Sequence, residues 1–278
     1  MAGRMTRFLP RFFLYLVLIL YAFSILYPIA IMALTSLKQN KEIFKNPYGL
    51  PKVLSLSNYV ALASHSHYVT YFRNSIVVTA LSLLIIVLVG SLASFVLAKF
   101  TFFLHKFVYL YLIAGLMIPI RLGTINILVL SLKLGIFDNL ISLILVNIAS
   151  GIPFAVLVLT GFFREVPDEI VNSSRIDGCS EPQIFSLIVL PLAKPAVLAV
   201  AIVYFIPIWN DFWFPLILIR SDAMKTVPLA TALLFGQYQT NFGLVFATLT
   251  LASLPVILFY LILSRQFTKG ITAGALIG

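Results

Sequence analysis

Charge is scarce in this sequence: 28 of its 278 residues are Asp, Glu, Lys or Arg, about 10%, and only nine of these are acidic. Ordinary soluble domains carry roughly 25% charged residues, so the composition argues against a soluble globular fold. Cysteine is nearly absent, and the single Cys179 excludes an internal disulfide framework and any all-cysteine metal site. Histidine is almost as rare. His65-Ser-His67 has close spacing but no third ligand nearby, and His105 stands apart, so no metal site and no catalytic constellation is expected. No Gly-x-x-x-x-Gly-Lys-Ser/Thr loop occurs, so no ATP is expected on this chain by that route. Internal repeats and low-complexity tracts are missing too, which leaves a single domain over residues 1–278.

What the sequence has in abundance is apolar residues, 61% of the total. Three stretches carry no charge at all: Phe12–Leu37 (26 residues), Asn74–Ala98 (25) and Asn139–Phe163 (25). Each exceeds the roughly 20 residues a helix needs to cross a bilayer. The pattern predicts six spans, near 12–35, 74–98, 107–130, 139–163, 195–219 and 243–264. Hydrocarbon offers backbone groups no partners, and these runs are not ten-residue alternating strands, so the fold class is an all-α integral membrane protein. Arg4, Arg7 and Arg11 imitate the start of a secretory signal, but the apolar run after them is about twice the usual h-region, so it is read as a retained first span.

Net charge of +10 comes from basic residues in short segments between apolar runs. That arrangement suits phospholipid headgroups in a lipid bilayer and not nucleic acid. Counting Lys and Arg with the amino terminus inside gives ten inside and nine outside, which does not orient the chain.

Residues 164–194, REVPDEIVNSSRIDGCSEPQIFSLIVLPLAK, hold the most local information. Pro167 suits a first helical turn, and Asp168 and Glu169 complement the positive helix end, predicting a helix from about 167 to 176. Gly178 supplies a stop, and Ser180-Glu181-Pro182-Gln183 has capping-box spacing. Pro191 and Pro195 then predict a bend where this second helix meets the fifth span. A short rigid helical elbow suits docking into a partner's groove better than chemistry.

With those residues in view, the segment resembles the EAA loop of ABC-transporter permeases: Glu-Ala-Ala, three residues, Gly, nine residues, Ile-x-Leu-Pro. Here Gly178 is followed by nine residues and then Ile188-Val-Leu190-Pro191, while Asn172, Ser173 and Ser174 stand where Glu, Ala and Ala are usual. Arg175-Ile-Asp177-Gly178, Trp209-Asn210-Asp211 and the carboxy-terminal Gly270-Ile-Thr-Ala-Gly274-Ala275-Leu-Ile-Gly278 resemble carbohydrate-uptake permeases of the maltose-transporter type, in particular the smaller six-span permease of a heterodimer. Ile277 occupies the position where that family has a lysine.

The resemblance implies a cytoplasmic EAA coupling loop between spans 4 and 5, both termini cytoplasmic, in a bacterial or archaeal cell (inner) membrane. It implies a permease and not an enzyme, moving a carbohydrate inward. The implied partners are a second homologous permease, an ATP-binding subunit dimer that holds ATP and Mg, and an extracytoplasmic solute-binding protein. The implied coupling residues are Glu169, Asn172, Ser173, Ser174, Asp177, Gly178, Ile188 and Pro191, with a tail contact to the ATPase at Gly274, Ala275 and Gly278. An ion-coupled secondary transporter is the alternative, although such proteins often show repeated halves.

Inside the predicted spans, Asp211 and Arg121 are ionisable groups in apolar surroundings, which face a bundle interior, a partner or a water-filled path. At 1.5 Å per residue, Arg121 and Asp211 sit roughly 21 and 24 Å along their helices and could share a depth, either paired or as two unrelated snorkelling charges. Asn210, Asp211, Arg121 and Trp209 are therefore candidates for the substrate path. Trp209 and Trp213 could stack on sugar rings, and Asn210 could bond sugar hydroxyls; packing is the alternative for each.

Overall fold

The structure is a computed structural model and describes residues 2–64, 67–234 and 241–275, with side chains described between residues 12 and 262. Among the described residues the elements are all helical. They are α1 (Ala2–Ser36), α2 (Asn40–Lys45), α3 (Ser57–Ser64), α4 (Tyr68–Lys99), α5 (His105–Ala114), α6 (Thr124–Lys133) and α7 (Leu140–Glu165). After these come α8 (Asp168–Ile176), α9 (Glu181–Ile184), α10 (Leu190–Leu192), α11 (Lys194–Trp209), α12 (Trp213–Leu218), α13 (Val227–Leu233) and α14 (Phe242–Ala275).

Four stretches are long and apolar enough to cross a bilayer unaided: Phe12–Ser36, Tyr68–Lys99, Leu140–Glu165 and Phe242–Ile262. The number becomes six if each of two bent helix pairs is one span. The predicted third and fifth spans are the bent ones, and there the continuous helices expected from hydropathy need correcting.

In the third, His105–Met117 and Ile120–Lys133 meet at 82°. Pro119 has no N–H and disfavours helical geometry in the residue before it, and Ile118 is accordingly extended at φ −94°, ψ 111°. In the fifth, α11 has only 16 residues, about 24 Å at 1.5 Å per residue, short of a hydrocarbon core of about 30 Å. Asn210, Asp211 and Phe212 then interrupt it before α12. At its other end, α11 meets the helical stretch Glu181–Leu192 at 75°, which is the bend predicted from Pro191 and Pro195.

The chain divides into two compact units, residues 1–66 with 231–253, and residues 67–230 with 254–278. The first is organised by Lys38, which is fully buried. Its ammonium donates to the carbonyls of Asn46 (2.8 Å) and Pro47 (3.3 Å). The Asn58 amide donates to the carbonyls of Ser36 and Lys38, fixing the chain as it leaves α1.

The second unit is built on α4 against α7. Small residues let these two backbones approach: a Cβ on Gly90 would lie 2.6 Å from that of Ala155, and one on Gly151 would lie 2.4 Å from Ile86 Cδ1. Close approach through small residues is how helices pack in lipid, where the hydrophobic effect gives them no drive to associate. Ile86, Leu143, Leu159 and Phe163 fill the interface and are wholly or almost wholly buried. The Asn139 side chain caps α7 by accepting from the Ile141 N–H at 3.0 Å. Polar side chains on α4 hold the segment after α12: the Asn74 amide donates to the carbonyls of Ala223 and Lys225, and Ser75 Oγ accepts from the Val227 N–H.

Candidate coupling segment and helix-break cluster

The segment after α7 folds as its local sequence dictates. Pro167 occupies the position before α8, with Asp168 and Glu169 in the first turn and Arg175 in the last. Val171 and Ser174 face inward and are buried, while Glu169, Asn172, Ser173, Ile176 and Asp177 are exposed. Ile176 is 86% exposed, an apolar side chain on an otherwise polar helix face.

The helix ends in a Schellman turn: the Gly178 N–H donates to the Arg175 carbonyl (3.1 Å) and the Cys179 N–H to that of Ser174 (3.0 Å). This motif needs a left-handed residue, and Gly178 has φ +87°. No atom lies within 4 Å of where a Cβ would sit on Gly178, so glycine is required here by the backbone angle and not by space. The next helix starts at Glu181, with the Ser180 N–H and hydroxyl both donating to Gln183 Oε1 at 2.8 Å.

Two ionic clamps fix this corner. Across the turn, Arg175 bonds Glu181 through Nε to Oε1 (2.7 Å) and Nη2 to Oε2 (3.2 Å), and its Nη1 donates to Asn172 Oδ1 (2.9 Å). Its guanidinium also lies 5.5 Å from the centre of the Phe100 ring, a cation–π distance. At the other end of α8, the Lys99 ammonium donates to the Val166 carbonyl (2.5 Å) and to Asp168 Oδ1 (2.6 Å). The hydrogen bond and positive charge of Lys99 hold the Asp168 carboxyl below the usual carboxylate range. Glu181, through its hydrogen bond and charge, holds the Arg175 guanidinium more firmly protonated.

Downstream, residues Phe185–Val189 form a π-turn ahead of Pro191. Proline in a helix crowds the carbonyl four residues back and offers it no donor. The wider turn accommodates Pro191 without ending the helix.

Of the residues singled out from sequence here, Glu169, Asn172, Ser173, Asp177, Gly178 and Pro191 are exposed, whereas Ser174 is buried and Ile188 half-buried. Ser174 Oγ donates to the Ile170 carbonyl (2.7 Å), so Ser174 serves packing and cannot present a docking surface. Arg175, Glu181 and Lys99 escaped the sequence reading as a linked set, because their partners lie across a turn or, for Lys99 and Asp168, 69 residues apart.

The second cluster gathers at the two helix interruptions. Arg121 is exposed on the Ile120–Gly123 turn, and its guanidinium carbon lies 5.9 Å from the centre of the Trp213 ring. The Trp213 indole N–H donates to Thr124 Oγ1 (3.0 Å), whose own hydroxyl donates to the Arg121 carbonyl (2.6 Å). Asp211 Oδ1 accepts from the Trp213 backbone N–H (3.1 Å), and the exposed Asn210 donates its amide to the Ile206 carbonyl (3.0 Å).

Arg121 and Asp211 thus share Trp213 as a neighbour, but among the described residues no ion pair joins them. Trp209 is a correction: it is only 3% exposed, edge-on to Phe72 and stacked on Phe205, and so belongs to the core. Trp213, four residues on, is the exposed indole. The predicted tail contact includes Gly278, outside the described residues, and Gly274 and Ala275, described only as the helical end of α14.

A family described as "Binding-protein-dependent transport system inner membrane component" matches residues 86–273. An ABC transporter permease protein of Caldicellulosiruptor sp. (strain Rt8B.4) is 33% identical over 252 residues, covering 90% of this chain and 91% of that one. The arabinooligosaccharides transport system permease protein AraQ of Bacillus subtilis (strain 168) is 31% identical over 283 residues, covering 99% of this chain and all of that protein. Among solved structures, a chain of a bacterial ABC transporter involved in import of the acidic polysaccharide alginate superposes with a TM-score of 0.78 at 20% identity, over 96% of this chain and 98% of that one.

Proposed function

We propose that this chain, which belongs to the family of binding-protein-dependent transport system inner membrane components, imports a sugar or oligosaccharide as one permease subunit of an ABC transporter. Sugar as cargo is supported by relatives such as the arabinooligosaccharides permease and the diacetylchitobiose uptake permease of Streptomyces coelicolor. The chain is a transport component and not an enzyme, and the hydrolysis that drives it belongs to a separate dimer of ATP-binding subunits holding ATP and Mg. A second permease completes the membrane pathway, and a solute-binding protein delivers the cargo from outside.

The observation that carries this reading is the clamped corner at Gly178. It holds α8 at a fixed angle and leaves Glu169, Asn172, Ser173, Ile176 and Asp177 exposed together. An apolar Ile176 ringed by polar groups suits a protein groove, with the isoleucine as anchor and the polar groups as rim. In this reading the segment 164–194 lies on the cytoplasmic side, the chain crosses six times and both termini are cytoplasmic. Closure of the ATPase dimer moves α8 as a rigid lever, and the bend at Ala193 passes the motion into α11.

The test is to express the tagged chain with its genomic neighbours, purify it in detergent and assay ATPase activity with candidate sugars and binding protein. A co-purifying permease and ATPase, with hydrolysis stimulated by one loaded binding protein, is expected. Purification alone, with solute movement under an ion gradient, would refute the proposal.

A further inference from the structure

The two helix interruptions, Ile118–Gly123 and Asn210–Phe212, lie side by side, joined by the hydrogen bond from the Trp213 indole to Thr124. At membrane depth, non-helical backbone is tolerated only where protein buries it or where it lines a water-filled cavity. Arg121, Asn210 and Phe212 are exposed in this chain, so this chain does not itself bury the interruptions.

The groups collected there have a definite chemistry. Trp213 is 40% exposed; its indole N–H is held on Thr124, its backbone N–H on Asp211, and the Arg121 guanidinium carbon lies over one side of the ring, 5.9 Å from its centre. A fixed, partly open indole offers a flat apolar surface of the size of a pyranose ring. Around it, Arg121 supplies a fork of N–H donors, and Asn210 and Asp211 supply acceptor oxygens. The charged side chains in the cluster are one cation and one anion, Arg121 and Asp211, so their charges cancel.

We infer that Trp213, flanked by Arg121, Asn210 and Asp211, is a stacking platform for an uncharged sugar ring on the transport path. An anionic solute meets Asp211 and a cationic one meets Arg121, whereas neutral hydroxyls can use both. The inference rests on the permease reading above and adds the residues and the charge class to it. Of the two tryptophans that the sequence offers for stacking, Trp213 is the one left partly open, while Trp209 is buried.

Two experiments test it. In the full chain carrying Trp209→Phe, reconstituted in lipid nanodiscs, Trp213 is the sole tryptophan. Its emission is expected to respond saturably to members of a panel of uncharged trisaccharides (maltotriose, raffinose, arabinotriose) and at least tenfold more weakly to trigalacturonate. Arg121→Leu is expected to weaken the response at least tenfold. No response to any panel member, or a stronger response to the anion, overturns the inference.

In the co-expressed transporter, Trp213→Ala is expected to lower sugar uptake at least tenfold while the other subunits still co-purify, and Trp213→Phe to restore most of it. Uptake equal to wild type in Trp213→Ala overturns the platform. Loss of co-purifying subunits in Trp213→Ala also overturns it, because it places this face in a subunit interface. Failure of the permease reading itself shows separately, as absence of a co-purifying ATPase with the wild-type chain.

Discussion

Replacing Gly178 isolates one quantity, the cost of placing a side chain on a left-handed backbone. Its φ of +87° lies where L-residues are disfavoured, by roughly 1–2 kcal/mol for an ordinary side chain. The space beyond the Cα is empty within 4 Å, so side-chain volume adds little to that cost. An energy of this size changes an opening equilibrium about 5- to 30-fold. The reporter is the Cys179 amide, which is held by the Ser174 carbonyl only while the turn is closed. Hydrogen exchange followed by mass spectrometry on the assembled transporter is expected to show that amide exchanging about 5- to 30-fold faster in Gly178→Ala. Gly178→Leu should match Ala closely, and Gly178→Asn should fall between Ala and wild type, because asparagine tolerates this region. ATP-driven uptake per ATP hydrolysed should fall in the same order. An alanine variant indistinguishable from wild type would show that the turn is not under this constraint, and a leucine variant far worse than alanine would show that sterics dominate.

Three further outcomes follow from the packing and the clamps. Glu181→Gln should open the same turn by roughly 0.2–1 kcal/mol, the size typical of a partly exposed ion pair, and a double-mutant cycle with Arg175→Lys should show that the two effects are coupled. The Asp168 carboxyl is held below its ordinary range by Lys99, so the clamp contributes fully above the unfolded-state value, about 3.9, and is lost as pH falls through the lower folded value. Exchange protection of residues 168–171 should therefore decline with acid in that window for wild type, while Asp168→Asn flattens the profile. Gly90→Val drives side-chain carbons into Ala155 and should cost about 1–3 kcal/mol or more by overpacking, read as a lower melting temperature; an unchanged melting temperature would contradict the α4–α7 contact.

The parts of this protein legible in its sequence are those written within a few residues. Pro167, Gly178 and Ser180-x-x-Gln183 bracket α8, its turn and the next helix, because capping and left-handed turns depend on neighbours alone. Charge-free runs located α4 and α7 for a similar reason, since hydrocarbon selects on composition. Composition cannot see a broken helix: Ile118-Pro119 lies in an otherwise apolar run, and Asn210-Asp211 reads as polar side chains within a span and not as a stop. That blindness left the two tryptophans undistinguished. Four residues apart on one helix, Trp209 and Trp213 would share a face, but the break between them resets the phase and sends one to the core and the other outward. The Arg175–Glu181 and Lys99–Asp168 clamps were illegible because one spans a turn and the other joins helices far apart in the chain.

The π-turn at Phe185–Val189 sets an azimuth. A π-turn holds more residues per turn than the 3.6 of an α-helix, so it acts as one residue of insertion, and each residue corresponds to about 100° of rotation. Deleting one residue between 185 and 189 would let the stretch relax toward regular α-helix, and α9, the Gly178 corner and α8 would all swing about 100° around the helix axis. Ile176 and its polar surround would then point along a different bearing with the Gly178 turn and the Arg175–Glu181 pair intact and the Lys99–Asp168 bond lost. The distance in sequence between Gly178 and Pro191 therefore works as a gear setting: it decides where around the axis the lever engages, independently of how well the lever itself is built.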